Sequence, residues 1–179
     1  GGTQNFSLTS MQYSPSCIMI PKNPDDGYLS EYFLIEYITE EGNNSQSSGN
    51  GIRILHVQAE VSEGRNGMEL TYNNYSQNYD KSNQKHRILR LVNQYGYFYP
   101  GTKGIQYTNL IDGNIEGFHW YDEEGNLTVD TDIKIEIGGC QPGPDFDPST
   151  FDAGSSLDFE NDPSFIKGST YHITITQSE

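Results

Sequence analysis

The sequence has very little cysteine and no long apolar run. Only two of its 179 residues are cysteines, Cys17 and Cys140, and their positions exclude a disulfide-rich scaffold and the C-x-x-C motifs of redox and metal sites. One bridge between them and two separate thiols both remain open. No apolar stretch approaches the roughly 20 residues that a membrane-spanning helix requires, so we expect no membrane insertion.

Positive charge is also scarce. Ten basic side chains stand against 25 acidic ones, which gives a formal net charge of −15. Such a surface repels phosphate backbones and anionic headgroups, so we do not expect nucleic acid as a partner. The acidic composition, rich in Asn, Ser and Tyr, is what we expect of an exported bacterial protein, and we predict an extracellular or cell-surface location.

The common catalytic signatures are absent from the sequence. None of the four histidines has a second histidine four positions on, as a zincin helix requires, and there is no G-x-S-x-G elbow, Walker A loop or dinucleotide fingerprint. A carboxylate pair for glycoside hydrolysis stays open because 25 acids offer many pairs, although we favour solvated acids. We therefore predict that this chain alone is not an enzyme.

Alternating apolar and polar residues indicate β-strands. The segments 130–137 and 169–176 carry apolar side chains at every second position, which is the pattern of a strand with one buried face. Weaker strand signals, separated by turn-forming sequences, lie at 16–20, 52–61, 104–109 and 117–121. We predict an all-β fold, an antiparallel β-sandwich in one domain over residues 1–179, with jelly-roll-like and immunoglobulin-like topologies both open.

Two further segments are less regular. Residues 82–96 fit either an amphipathic helix or a strand, and we favour a strand from Arg87 to Val92. Residues 141–168 contain four prolines, with six acids between 145 and 162. This composition predicts a long acidic loop before the last strand.

Two groups of oxygen-bearing side chains suggest structural calcium, the one cofactor that the sequence points to. The first matches positions 1, 3, 5 and 12 of a calcium loop, with Gly117 at position 6, and consists of Asp112, Asn114, Glu116 and Glu123. Two tight turns on either side of a strand would account for the same residues without calcium, and we favour that interpretation. The second group is Asp145, Asp147, Asp152 and Asp158, for which we favour a solvated loop.

Trp120 is the only tryptophan and lies between aromatic neighbours. An exposed Trp–Tyr pair would stack on sugar rings, whereas Phe118 and Trp120 share one face of a strand and would pack in the core. We favour the core. The tyrosines of the Asn-rich stretch 71–80 are predicted to be loop residues; they are Tyr72, Tyr75 and Tyr79.

The segment EYFLIEYI, residues 31–38, is apolar on both faces and yet contains Glu36. We predict a central strand, on which a carboxylate needs a cation or several donors to offset its desolvation. The next strand, IRILHVQAEV, provides Arg53 and His56 as the nearest candidates. We favour a structural ion pair between Glu36 and Arg53 over a catalytic role.

Three segments together resemble a known family. EYFLIEY and GNGIRILHV (49–57) are similar to paired strands downstream of the zinc-binding helix in immune inhibitor A-type secreted metallopeptidases, and HRILRLVNQYGYFYPGT (86–102) is similar to the stretch that follows those strands. The resemblance covers roughly residues 30–110. This chain departs from the family at Tyr37 and Ile38, where an Arg is frequent, and at Gln58, where an acid is frequent.

The resemblance implies a β-rich, non-catalytic region of a secreted or cell-surface bacterial metallopeptidase. Any zinc motif would then lie N-terminal to Gly1, and the first partner would be the catalytic domain of the same polypeptide. On that view Glu36 and Arg53 are architectural. The alternative from another class of protein is a carbohydrate-binding or adhesive β-sandwich that contacts protein or glycan at the cell surface.

Overall fold

The computed structural model describes residues 1–45, 50–72, 88–92, 112–115, 118–150 and 162–178. These residues form an all-β fold, as the alternating pattern predicts. In chain order the strands are β1 (Gly2–Thr9), β2 (Cys17–Pro21), β3 (Glu31–Ile38), β4 (Gly51–Gln58), β5 (Val61–Gly64), β6 (Gly67–Leu70), β7 (Leu89–Val92), β8 (Asp112–Ile115), β9 (His119–Tyr121), β10 (Leu127–Asp130), β11 (Ile133–Gln141) and β12 (Thr170–Gln177). The strand predicted at 104–109 lies outside the described residues.

Two antiparallel sheets of four strands form the body of the fold. The first sheet has the order β1-β12-β11-β8, and the second has the order β2-β3-β4-β7. Strands β5 and β6 form one separate hairpin, and β9 and β10 form another. The second sheet places β3 between β2 and β4, which is the central position that its two apolar faces predict.

One hydrophobic cluster joins the two sheets. The first sheet contributes Ile137 and Ile173, the second contributes Ile35 and Ile54, and all four are almost completely buried. Burying an isoleucine side chain stabilises the fold by roughly 1.5–3 kcal/mol. A shared core between two sheets is the packing of a β-sandwich, so the predicted architecture is confirmed.

Some elements differ from the sequence prediction. Strand β11 continues to Gln141, beyond the predicted end at 137, because a register shift between Gly138 and Cys140 lets it stay paired with β12. The N-terminal strand β1 was not predicted, since GTQNFSLT has only two large apolar residues. Strand β7 confirms the preference for a strand in the segment 87–92.

The predicted acidic loop is not entirely loop. It contains a short 3₁₀ turn at Pro148–Thr150 and a single α-helical turn at Pro163–Ile166. The helical turn forms because the Asp162 carboxylate accepts hydrogen bonds from the first free backbone N–H groups, while a proline occupies the first helical position. None of the helical segments in the described ranges is long and apolar enough to cross a bilayer.

The two cysteines lie in different sheets. Cys17 is exposed on β2, whereas Cys140 is half-buried on β11, with its sulfur 3.8 Å from the Tyr37 hydroxyl. No disulfide joins them. Of the two states that the sequence leaves open, the structure therefore shows separate thiols.

Candidate functional site

Strand β3 carries two carboxylates on opposite faces. Glu31 shares the core-facing side with Phe33 and Ile35, while Glu36, five positions on, faces the other way. Both are buried, with 3% of Glu31 and 6% of Glu36 exposed. A buried carboxylate is costly unless it is paired, so the partners of these two side chains determine what the strand can do.

Glu36 pairs with Arg53 across the β3–β4 ladder. The two residues are direct partners in the strand register, and Arg53 donates from Nε at 2.8 Å and from Nη2 at 2.6 Å to Oε2 of Glu36. About a fifth of the Arg53 side chain (22%) reaches solvent. The structure thus brings together the two residues of the predicted ion pair.

His56, the other candidate partner of Glu36, contacts a different carboxylate. It lies opposite Phe33 in the register, and its Nε2 is 2.8 Å from Oε1 of Glu31. The physical reason is the alternation of side chains along a strand: positions 53 and 56 of β4 face opposite sides of the sheet. His56 is therefore on the core side, where Glu36 does not reach.

Glu31 accepts hydrogen bonds from three parts of the chain. The donors, each 2.8 Å from a carboxylate oxygen, are the ring of His56, the ammonium of Lys22 and the backbone N–H of Tyr121. Burial raises the pKa of Glu31, but these hydrogen bonds together outweigh it and hold the pKa below its usual value. The carboxylate is ionised at neutral pH.

Aromatic rings enclose His56. The imidazole stacks on Tyr121 with centroids 4.8 Å apart, and it also contacts Phe33 and Trp120. This burial lowers the pKa of His56, against the opposing effect of Glu31. The imidazole is therefore neutral at neutral pH, and because an ionised carboxylate only accepts hydrogen bonds, the proton facing Glu31 is on Nε2.

Two further polar side chains are buried beside this pair. Arg90 of β7 donates from Nε to the Tyr121 hydroxyl at 3.1 Å, with its guanidinium carbon 5.6 Å from the centre of that ring. Gln58, the last residue of β4, lies opposite Glu31 in the register. We call Lys22, Glu31, His56, Gln58, Arg90 and Tyr121 the polar cluster.

Sequence reasoning missed the polar cluster, although one signal was present. Glu31, Phe33, Ile35 and Tyr37 occupy alternate positions, so a core-facing Glu31 follows from the same alternation that places the apolar residues. The backbone donor from Tyr121 is 90 positions away in the sequence. Nothing local in the sequence indicates such a partner.

Glu31 and His56 are deeply buried titratable side chains of the polar cluster, and they contact each other. Side-chain exposure is 1% for His56 and 4% for Glu31, and each is already hydrogen-bonded to the other. The Glu31–His56 contact can therefore orient and stabilise the core.

The first predicted calcium group is only partly described. Asp112 and Asn114 lie in strand β8, whose backbone pairs with β11, and Glu123 lies in an exposed turn after β9. Glu116 is outside the described residues. Across the described ranges no three His, Cys, Asp or Glu residues are grouped as metal ligands, and the calcium hypothesis stays a prediction.

The second acidic group is also divided. Asp145 is exposed, 3.9 Å from the ammonium of Lys167. Asp147 is exposed as well, and hydrogen bonds from the side chain and backbone of Ser149 lower its pKa. Asp152 and Asp158 lie outside the described residues.

Trp120 is buried in the core, as favoured from the sequence. It is 8% exposed and packs against Phe33 with ring centroids 4.5 Å apart, and Phe118 on the same side is buried too. It therefore offers no exposed platform for a sugar ring. Tyr72 is half-buried, while Tyr75 and Tyr79 lie outside the described residues.

Comparison with known proteins gives no relative for this chain. No family model, no curated protein and no solved structure matches it significantly. The resemblance to immune inhibitor A-type metallopeptidases thus depends on the three quoted segments alone, and it stays a prediction.

The Glu36–Arg53 pair predicts a specific pattern of stabilities. Arg53→Met should lower the free energy of unfolding by about 2–4 kcal/mol, because it leaves a buried carboxylate without its cation. The double variant Glu36→Leu, Arg53→Met should recover most of that loss, since two apolar side chains replace two desolvated charges. Urea unfolding of the wild type, Glu36→Leu, Arg53→Met and the double variant measures this double-mutant cycle. A double variant no more stable than Arg53→Met contradicts the assignment.

His56 predicts a pH dependence of stability. The pKa of His56 is lower in the folded state, so the unfolded chain binds the proton more tightly. The free energy of unfolding therefore falls as the pH drops from about 7.5 to about 5.5, a range that spans the ordinary pKa of histidine. His56→Gln should flatten this slope. His172→Gln, at an exposed position of β12, should keep it, and equal slopes in all three proteins would argue against a neutral buried His56.

The calcium hypothesis predicts a metal-dependent melting temperature. If Ca²⁺ binds only the folded state, a concentration of about 100 times its dissociation constant adds about 2.7 kcal/mol relative to EDTA. Glu123→Gln should remove this shift and the neighbouring Glu124→Gln should not. Identical melting temperatures in EDTA, Ca²⁺ and Mg²⁺ would contradict the hypothesis that Asp112, Asn114 and Glu123 are calcium ligands.

Proposed function

We propose that this chain is a non-catalytic β-sandwich region of a secreted or cell-surface bacterial protein, with a structural or substrate-positioning role. The segments that resemble immune inhibitor A-type metallopeptidases point to a parent protein of that kind. The catalytic part would lie N-terminal to Gly1 and would be the first partner of this region. Structural calcium remains part of the proposal.

The observation that carries this proposal is that both carboxylates of strand β3 are engaged in contacts within the protein. Glu36 is paired with Arg53 across two strands, and Glu31 accepts three hydrogen bonds within the core. Groups that a catalytic site would hold ready for substrate are here engaged in cross-strand contacts. This favours an architectural role for the strand pair that carries the family resemblance.

The carbohydrate-binding alternative ranks second. Its sequence argument depends on an exposed Trp120, and that side chain packs in the core. A glycan-binding role would therefore need another surface of the sandwich.

Mixing experiments test the proposed role. The chain alone, supplied with Zn²⁺ and Ca²⁺, should not hydrolyse a protein substrate, and it should co-elute in gel filtration with the catalytic region of an immune inhibitor A-type peptidase. Hydrolysis that Glu31→Gln or Glu36→Gln abolishes in a folded protein would contradict the non-catalytic role. Separate elution of the two proteins would contradict the family part of the proposal.

A further inference from the structure

An open pocket of about 570 Å³ lies at the end of the second sheet, where β3 begins and β4 ends. Glu31 and Gln58 line it from these two strands, and Glu60 follows on the chain. The turn before β3 closes the other side with Lys22, Asp26 and Leu29. The role proposed above makes no use of this pocket.

Several hydrogen-bond donors around the pocket are already engaged. Lys22 donates to Glu31 and to the Tyr121 carbonyl, and the Asn23 side chain donates to Asp26. The Ser30 hydroxyl donates to the carbonyl of Gly27. These contacts reduce the number of donors that the lining residues can offer to a ligand.

Acceptors, in contrast, remain available. Gln58 is 7% exposed, and its Oε1 has no hydrogen-bond partner in the part of the chain that the structure describes. A buried acceptor left in this state destabilises the fold, and a donor from a ligand would relieve that cost. Asp26 and Glu60 are exposed, and neither forms an ion pair within the described ranges.

We propose that this pocket binds the cationic side chain of an arginine or lysine from a partner polypeptide. Guanidinium and ammonium groups donate hydrogen bonds and accept none, which complements the carboxylates of Asp26 and Glu60 and the amide oxygen of Gln58. Leu29, about half exposed (51%), provides an apolar surface for the methylene stem. The net charge of −15 adds a long-range attraction for a basic partner.

Other occupants fit the pocket less well. A neutral sugar brings acceptors as well as donors, and several of the donors that could satisfy it are engaged within the protein. A divalent cation needs several oxygen ligands, and no three acidic, His or Cys side chains among the described residues are grouped for one.

Titration of the full 179-residue chain with N-acetyl-arginine amide tests the proposal. Amide NMR shifts should change saturably around Gln58 and Glu60. N-acetyl-citrulline amide, which has nearly the same shape and no charge, should produce little change. N-acetyl-lysine amide should act as the arginine compound does, and glucose or Ca²⁺ should not.

Charge-removing variants locate the site. Asp26→Asn and Glu60→Gln should each weaken binding about two- to fivefold, as expected for exposed charge pairs. Glu63→Gln, which removes the same charge on the β5–β6 hairpin, should leave affinity unchanged. Gln58→Leu should weaken binding about tenfold, and Gln58→Glu should strengthen it.

Three results would overturn the proposal. These are equal responses to the arginine and citrulline compounds, saturable shifts around Gln58 and Glu60 with glucose or Ca²⁺ in place of the arginine compound, and a Glu63→Gln variant weakened as much as Glu60→Gln. Because Asp26 and Glu60 are exposed, their variants test the site even if the Gln58 variants do not fold. None of these outcomes depends on the parent protein being a peptidase.

Discussion

The rest of the structure depends on the burial of the Glu31 carboxylate. An ionised carboxylate in the core costs several kcal/mol unless donors surround it. Here the donors come from β4, from the segment after β2 and from the backbone of β9, so one side chain holds three separate parts of the chain in position. The aromatic packing of His56 between Tyr121 and Phe33 follows from the same requirement, because the ring must lie where its Nε2 reaches Glu31.

The two carboxylates of β3 act together on strand register. Glu31 pairs on the core face and Glu36 pairs with Arg53 on the outer face. A slip of one residue between β3 and β4 would move each carboxylate to the face that lacks its partner, leaving two buried charges unpaired. These contacts need not add net stability to have this effect. They make the alternative pairings of two very apolar strands unfavourable.

The sequence predicts the local features of this arrangement and misses the distant ones. Alternation identifies β3, β4 and the sandwich architecture, and adjacency of two strands suggests the Glu36–Arg53 pair. It does not reveal that the backbone of Tyr121 reaches Glu31, because that contact depends on how the β9–β10 hairpin sits against the second sheet. The Lys22 contact continues the register of β2 and β3. His56 is a candidate partner of Glu36 by distance along the sequence, and its actual partner, Glu31, follows only when the face of each strand is considered.

The pocket beside the polar cluster follows from the same geometry. Glu31 and the Tyr121 carbonyl engage the Lys22 ammonium, while Gln58 Oε1 is left without a partner among the described residues and Asp26 and Glu60 stay exposed. The arrangement depends on the protonation states of two side chains: His56 is neutral and donates from Nε2 to an ionised Glu31. Nitrogen-15 NMR of the His56 ring at neutral pH measures the protonation state of the imidazole directly. We expect one protonated nitrogen, Nε2, and one unprotonated nitrogen, Nδ1; an imidazolium, or a proton on Nδ1 alone, would contradict the account.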